Sequence, residues 1–360
     1  MMTDTIQVDA RVPDAAAIER AAAVLRRGGL VAFPTETVYG LGADATSAEA
    51  VAGIFRAKRR PSSDPLIVHL ADASELPLVC ASIPEAVRML AKEFWPGALT
   101  LILPRGKAIP AVVSAGLDTV AVRVPDHPVA QALLRAARLP VAAPSANLFA
   151  RPSPTTAQHV LEDLDGRVDV ILDGGPTTIG VESTVLDLTG EAPTVLRPGG
   201  VTLEALEAFL PAVVFRPRHL AVDEAAQSPG MLLKHYSPTA KLLLFGGESA
   251  AAERMRAAAE KARGKGKRVG VLAFEAEAPA WRGRGVEVFE LGPAEAPEQA
   301  ARLLFAGLRE LDRRGVDVIL AHSPQRSGLG AAVWDRLFRA AEGALADAEA
   351  VSGNSLGELE

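Results

Sequence analysis

Apolar positions along this chain follow two rhythms. Short unbroken apolar blocks fall at 30–33, 66–70, 99–103, 120–124, 141–142, 168–172 and 184–188, and read as buried strands. Between them lie stretches in which apolar residues recur three and four apart. The first of these, 14–27, has Asp14 as a candidate N-cap and Gly28-Gly29 as its stop. The next, 47–59, puts Val51, Ile54 and Phe55 on one face. Further helices are predicted over 84–92 and 129–138. Strands alternating with helices define an α/β pattern. The connections are irregular and several strands follow one another as hairpins would, so the expected sheet is mixed and twisted, with helices, rather than purely parallel.

Over 211–238 the periodicity disappears, and Pro, Arg and turn residues take over, as in a long linker. Strand blocks then return at 242–245, 269–274, 286–291 and 316–321, separated by helical stretches near 250–261, 297–313 and 331–346. That regular alternation predicts a smaller, doubly wound, Rossmann-like α/β domain. Its glycines, Gly246-Gly247 and Gly264-Lys265-Gly266, fit no spaced phosphate-binding fingerprint, so a packing or regulatory role is expected of it. The predicted division is a larger domain over 1–210, a linker over 211–238, an accessory domain over 239–350 and a disordered tail over 351–360.

Composition narrows the classes. A chain of 360 residues fits two domains, and 49% hydrophobic against 23% charged residues suffices for a sizeable core. A net charge of −6 argues against a dedicated nucleic-acid surface. The single cysteine, Cys80, excludes an intramolecular disulfide and a cysteine zinc cluster. No apolar leader opens the chain, and no apolar run approaches the ~20 residues of a membrane span, so a cytoplasmic protein without membrane contact is expected.

Candidate chemistry gathers at strand ends. The first strand runs into Pro34-Thr35-Glu36-Thr37-Val38-Tyr39-Gly40-Leu41-Gly42, which offers two hydroxyls, one carboxylate and glycines that let backbone N–H groups approach a ligand. Lys58-Arg59-Arg60-Pro61 sets cations where Pro61 stops a helix. They are either a solvated helix end or a site for a polyanion such as a nucleotide triphosphate. His69 closes the next strand without a second His or Cys at metal spacing, which rules out a zinc site. Arg123, inside Thr119-Val120-Ala121-Val122-Arg123-Val124, is either an exposed sheet-face residue or a planar fork for a carboxylate. Ser183 lacks the Gly-x-Ser-x-Gly setting of a serine hydrolase.

Taken in order, these segments resemble the signature of the YrdC-like family, the threonylcarbamoyl-AMP synthases, in their long two-domain form. The likeness extends from 28 to 238. The family's Lys-x-Arg-Pro selects Lys58 and Arg60, and its Asn-Pro-Leu-x-Val-His ends on His69, with Asp64 here in place of Asn. Pro144-Ser145-Ala146-Asn147, Ser153-Pro154-Thr155, Gly180-Val181-Glu182-Ser183-Thr184-Val185 and Leu196-Arg197-Pro198-Gly199 follow in family order. The linker segment Ser228-Pro229-Gly230-Met231-Leu232-Leu233-Lys234-His235-Tyr236-Ser237-Pro238 also matches, except for Leu233 where an aromatic residue is common. The resemblance implies a nucleotidyltransferase that makes threonylcarbamoyl-AMP and pyrophosphate from L-threonine, bicarbonate and ATP with Mg2+. The product would feed the tRNA threonylcarbamoyl-transfer machinery, without stable tRNA binding by this chain. It implies threonine contacts from Thr35, His69, Arg123, Ser183 and the backbone of Ala143. It implies ATP contacts from Lys58, Arg60, Asp64, Thr119, Ser145, Ser153, Arg197 and Tyr236, with Asn147 on the same loop as Ser145 and the linker as a lid. No covalent nucleophile and no protein-held metal are expected. The alternatives are a carbamoyl-AMP-forming enzyme and a non-catalytic RNA-binding protein.

Overall fold

The computed structural model describes residues 2–215, 236–247 and 251–346. Most of the expected 211–238 linker, with Lys234 and His235 of the suggested lid, and the 351–360 tail lie outside the described residues. The chain divides into two compact units, one drawn from Met1–Phe149 and Ser153–Met231, the other from Ala150–Pro152 and Leu232–Glu360.

The first unit is built on a sheet whose strands are β1 (Asp4–Gln7), β2 (Val31–Phe33), β3 (Gly40–Asp44), β4 (Ile67–His69), β5 (Leu99–Pro104), β6 (Thr119–Arg123), β7 (Val141–Ala142), β8 (Val170–Asp173), β9 (Thr184–Asp187), β10 (Thr194–Arg197) and β11 (Val214–Phe215). Their spatial order is β1-β8-β2-β3-β7-β4-β6-β5-β9-β10-β11. Parallel pairs such as β4–β6 and β5–β9 alternate with antiparallel ones such as β2–β3 and β5–β6, so the sheet is mixed, as the pattern predicted. Both of its faces are covered. In β2, Ala32 joins one apolar cluster while Val31 and Phe33 join another on the opposite side. That double burial is why the strand blocks read as unbroken apolar runs instead of alternating ones.

Local signals set the element ends. Helix α1 (Ala15–Arg26) starts where the Asp14 side chain accepts from Ala17 N, and it stops at Gly28, whose φ of +82° a side chain would resist. Helix α2 (Ala48–Lys58) begins at the Ser47 cap and ends with Arg59 in the left-handed region, φ +54°. Pro61 cannot continue it. The predicted strand 66–70 contracts to Ile67–His69: Leu66 N donates to Val113 O in the turn 111–114, and Leu70 N to Arg123 O at the very end of β6, where the pairing runs out.

In the second unit β12 (Lys241–Phe245), β13 (Val269–Ala273), β14 (Glu287–Glu290) and β15 (Val318–His322) form a sheet of order β12-β15-β13-β14 with every pair parallel. Helix Ala251–Gly264 packs Met255, Ala259 and Ala262 on the face that carries Val271 and Leu320. On the other face, Gly307 of helix Pro297–Arg313 lies against Leu272 and Phe289, where a Cβ would come within 2.8 and 2.7 Å. This is the expected doubly wound layering. The last helix, predicted over 331–346, runs instead over Leu329–Ala340. Among the described residues, no helix is long and apolar enough to cross a membrane.

Gly199 follows β10 at a close approach of two backbones. A Cβ there would stand 2.3 Å from Glu182 O and 2.5 Å from Thr184 N. Backbone cannot swing aside as a flexible side chain does, and overpacking costs typically about 1–3 kcal/mol. Gly199→Ala should therefore lower the melting temperature by several degrees, measured calorimetrically, whereas Gly28→Ala, with free space around it, strains only its own φ.

Candidate functional site

The hairpin loop between β2 and β3 holds Thr35, Glu36 and Thr37, all buried. Other strand-end loops fix its backbone. Tyr39 N donates to Pro154 O at 2.9 Å and Ala146 N to Tyr39 O at 2.8 Å. Ile179 N donates to Glu36 O at 2.8 Å, and Gly180 N to Thr37 O at 3.1 Å. One loop thus gathers segments that lie more than a hundred residues apart.

Arg123, at the end of β6, reaches into this loop from the sheet. Its Nη2 meets Glu36 Oε1 at 2.5 Å, its Nη1 donates to Thr37 Oγ1 at 2.9 Å, and its Nε donates to Gly97 O at 3.0 Å. Arg123 and Glu36 are 3% and 6% exposed, which removes the sheet-face alternative for the arginine. A guanidinium carries five N–H donors. Among the described residues three are used here, which leaves two. His69 stands beside Arg123 in the parallel register of β4 with β6. Burial first, and then the Arg123 charge, push its imidazole pKa down to about 3, so it is neutral.

A second group surrounds Ser183. Its Oγ lies 2.7 Å from Thr100 Oγ1, while Arg197 donates through Nε and Nη2 to Ser183 O at 3.1 and 2.9 Å. Ser153 Oγ donates to Glu182 Oε1, both being buried. Lys58 is almost fully buried at the end of α2, its Nζ donating to Ser145 O and Asn147 O at 2.6 Å each. Ser145 Oγ donates to Asn147 Oδ1 at 2.5 Å. Arg60 pairs with Asp64 at 2.9 Å and donates to Pro65 O at 2.8 Å, while Arg59 between the two cations is exposed. Ala143 uses its N–H on Ile67 O at 2.8 Å.

Two predicted residues stand elsewhere. Thr119 opens β6 at the end opposite Arg123, about 13 Å away at the usual rise. Tyr236 belongs to the second unit, where its ring centroid lies 5.4 Å from that of Phe305 and 5.1 Å from the Arg336 guanidinium.

The family model described as telomere recombination matches residues 23–199, and that of the threonylcarbamoyl-AMP synthase C-terminal domain matches 201–342. A threonylcarbamoyl-AMP synthase of Pyrococcus abyssi is 46% identical over 344 residues, 94% of this chain and 98% of that protein. This chain belongs to the threonylcarbamoyl-AMP synthase family. A Bacillus subtilis family member is 48% identical over 91% of this chain and 93% of its own length. The crystal structure of Pyrococcus abyssi Sua5 complexed with L-threonine aligns with a TM-score of 0.89 at 45% identity, covering 95% of this chain and 98% of that one.

The motifs of this synthase-family chain led to Arg123, Ser183 and Ser153, but read Glu36 and Thr37 only as polar groups of the signature loop and gave no role to Thr100 and Glu182, the partners of Ser183 and Ser153. The available signal was a carboxylate flanked by hydroxyls inside otherwise apolar or turn-forming sequence, in Thr35-Glu36-Thr37 and again in Glu182-Ser183-Thr184.

His69 also makes a pH prediction. Folded, it stays neutral down to about pH 3, whereas in the unfolded chain it takes a proton near pH 6.5. The unfolded state then holds more protons, so stability falls as pH drops from about 6.5 towards 3, by up to about 1.4 kcal/mol per pH unit, and does not change on this account above that window. Burial lowers His127 too, with the same sign. Urea unfolding between pH 7 and 4 should show a shallower loss for His69→Gln. An identical slope in the variant would contradict the assignment.

Proposed function

We propose that this chain joins L-threonine, bicarbonate and ATP into threonylcarbamoyl-AMP and pyrophosphate, supplying the threonylcarbamoyl group for adenosine modification in tRNA. The observation that carries the proposal is the buried Arg123 guanidinium, bound to Thr37 of the Thr35–Thr37 hydroxyl pair and with two N–H donors unused among the described residues. A guanidinium of that geometry matches an amino-acid carboxylate bidentately. Thr35, neutral His69, Ser183 and the Ala143 backbone complete a pocket for the hydroxyl-bearing side chain. Lys58 fixes the 145–149 loop, with Ser145 and Asn147, around the nucleotide, since its backbone O also accepts from Phe149 N at 2.8 Å. Arg60, Asp64, Ser153 and Arg197 are the further ATP contacts.

The reaction needs no protein nucleophile. Threonine's amine forms the carbamate, a carbamate oxygen attacks the α-phosphorus, and pyrophosphate leaves. Positioning and fixed charge supply the acceleration. Among the described residues no three His, Cys, Asp or Glu side chains cluster as metal ligands. The donor set fits magnesium brought in on the triphosphate, which would neutralise its charge there.

Radiolabelled ATP resolved by thin-layer chromatography should give pyrophosphate only when threonine and bicarbonate are both present. Orthophosphate release without threonine would reject the proposal. Arg123→Lys keeps the charge opposite Glu36 but loses the fork. By calorimetry it should weaken threonine about tenfold or more while changing ATP affinity little. Equal threonine affinity in the folded variant would remove Arg123 from the threonine site.

A further inference from the structure

We infer that Glu36 binds the substrate's α-ammonium and accepts a proton from it. The inference rests on the proposed reaction and deepens it, because none of the residues assigned above handles the amino group.

Glu36 is a charged side chain only 6% exposed. Its Oε1 is engaged by Arg123, but its Oε2 is equally buried and has no hydrogen-bond partner among the described residues. A buried carboxylate oxygen without a donor is costly, and native sites usually explain such an atom by a ligand or water. The donor that fits here is cationic. An amino acid whose carboxylate occupies the two open N–H groups of Arg123 carries its ammonium one carbon further on. Glu36 grips the same guanidinium, so the ammonium is brought beside Oε2. The loop cannot easily swing Glu36 away, since Ile179 N holds its carbonyl at 2.8 Å and Thr178 Oγ1 donates to it at 3.3 Å.

The other titratable groups nearby do not take this role. His69, on β4, is a poor proton acceptor with its pKa near 3. His127, preceding helix Pro128–Ala137, is lowered by burial, against which the charges of Glu36 and Asp126 work, and its Nδ1 accepts from Val129 N at 3.2 Å. Glu182, on the 180–183 loop, already accepts from Ser153. Arg123, on β6, is a donor only.

The step balances as follows. Threonine arrives as an ammonium, and one N–H bond breaks, its proton passing to Oε2 and its electron pair staying on nitrogen. Bicarbonate loses its hydroxyl as water, which takes that proton, and leaves CO₂. Nitrogen attacks the carbon, the N–C bond forms, and a second nitrogen proton leaves through Oε2 to solvent. The sum is ammonium plus bicarbonate giving carbamate, water and one proton.

Glu36→Gln preserves shape but cannot take the proton or match the charge. Three results are expected. Threonine affinity falls about tenfold or more. Discrimination between threonine and its deamino analogue, 3-hydroxybutyrate, largely disappears in competition binding. Product formation at pH 7 drops about a hundredfold, and the deficit narrows as pH rises towards 9 and the free amine becomes more abundant. A folded Glu36→Gln chain with wild-type discrimination and a parallel pH profile would overturn the inference. If the Gln variant shows no cooperative melt, Glu36→Asp carries the test. It should keep discrimination and the wild-type pH profile at reduced rate, and loss of discrimination with the carboxylate retained would overturn the inference. Wild-type chain that forms no product would instead reject the parent proposal, a separate outcome.

Discussion

One buried guanidinium organises the site. Arg123 ties the centre of the sheet, through β6, to a carboxylate and a hydroxyl of the signature loop and to a carbonyl beside β5. Such a pair is not a reliable source of net stability, because desolvating both charges offsets most of their attraction. Its leverage is positional. Removing either partner leaves the other charge buried and uncompensated, at about 3–5 kcal/mol, so the loop is held where the sheet puts Arg123. The other loops then follow through main-chain bonds to Glu36, Thr37 and Tyr39.

The mixed topology makes that position available. β4 and β6 are parallel neighbours, so His69 and Arg123 end side by side. β2 and β3 are antiparallel, so their hairpin turns back at the same region through an isolated bridge between Gly40 and Ser145. A purely parallel sheet would need a long crossover where this hairpin stands. α2 then delivers Lys58 by its C-terminal turn, and the left-handed Arg59 lets the chain reverse so that Arg60 is buried as well.

Much of this was legible in the sequence. Asp14 caps its helix as its residue type dictates, and the basic triplet splits into two buried cations and one exposed, as a Lys-x-Arg-Pro pattern implies, whereas Ser47, read as the first helical residue, is the cap of α2. Strand ends were read less well. Leu66 and Leu70 are as apolar as the strand they flank, but Leu66 N bonds to the 111–114 turn and Leu70 N to the last residue of β6, and hydrophobic pattern carries no record of where a ladder ends. β1, β3, β10 and β11 escaped notice: Asp4, Gln7, Thr194 and Arg197 break the apolar runs of β1 and β10, Gly40 and Gly42 made β3 read as loop, and Val214-Phe215 is too short to stand out. Within the site, cations were easier to find than acids. A surface acid and a buried one look alike in sequence, and Glu36 becomes distinctive only when its neighbour from β6 is known.

The buried acids have a common consequence. Each cation proposed to meet substrate already has an internal acceptor: Glu36 for Arg123, Asp64 for Arg60, the Ser145 and Asn147 carbonyls for Lys58, and the Ser183 carbonyl for Arg197. Without those partners the cations would repel one another across a low-dielectric interior and would not stay buried. Arg123 is fixed by three of its five donors, and among the described residues the other two are unused. Ligand binding then adds contacts to a formed cluster instead of ordering a loose one, which spares the conformational entropy that floppy side chains would lose. Two acids and three carbonyls therefore hold the four cations in place within the fold itself. The second oxygen of Glu36 is buried without a hydrogen-bond partner among the described residues.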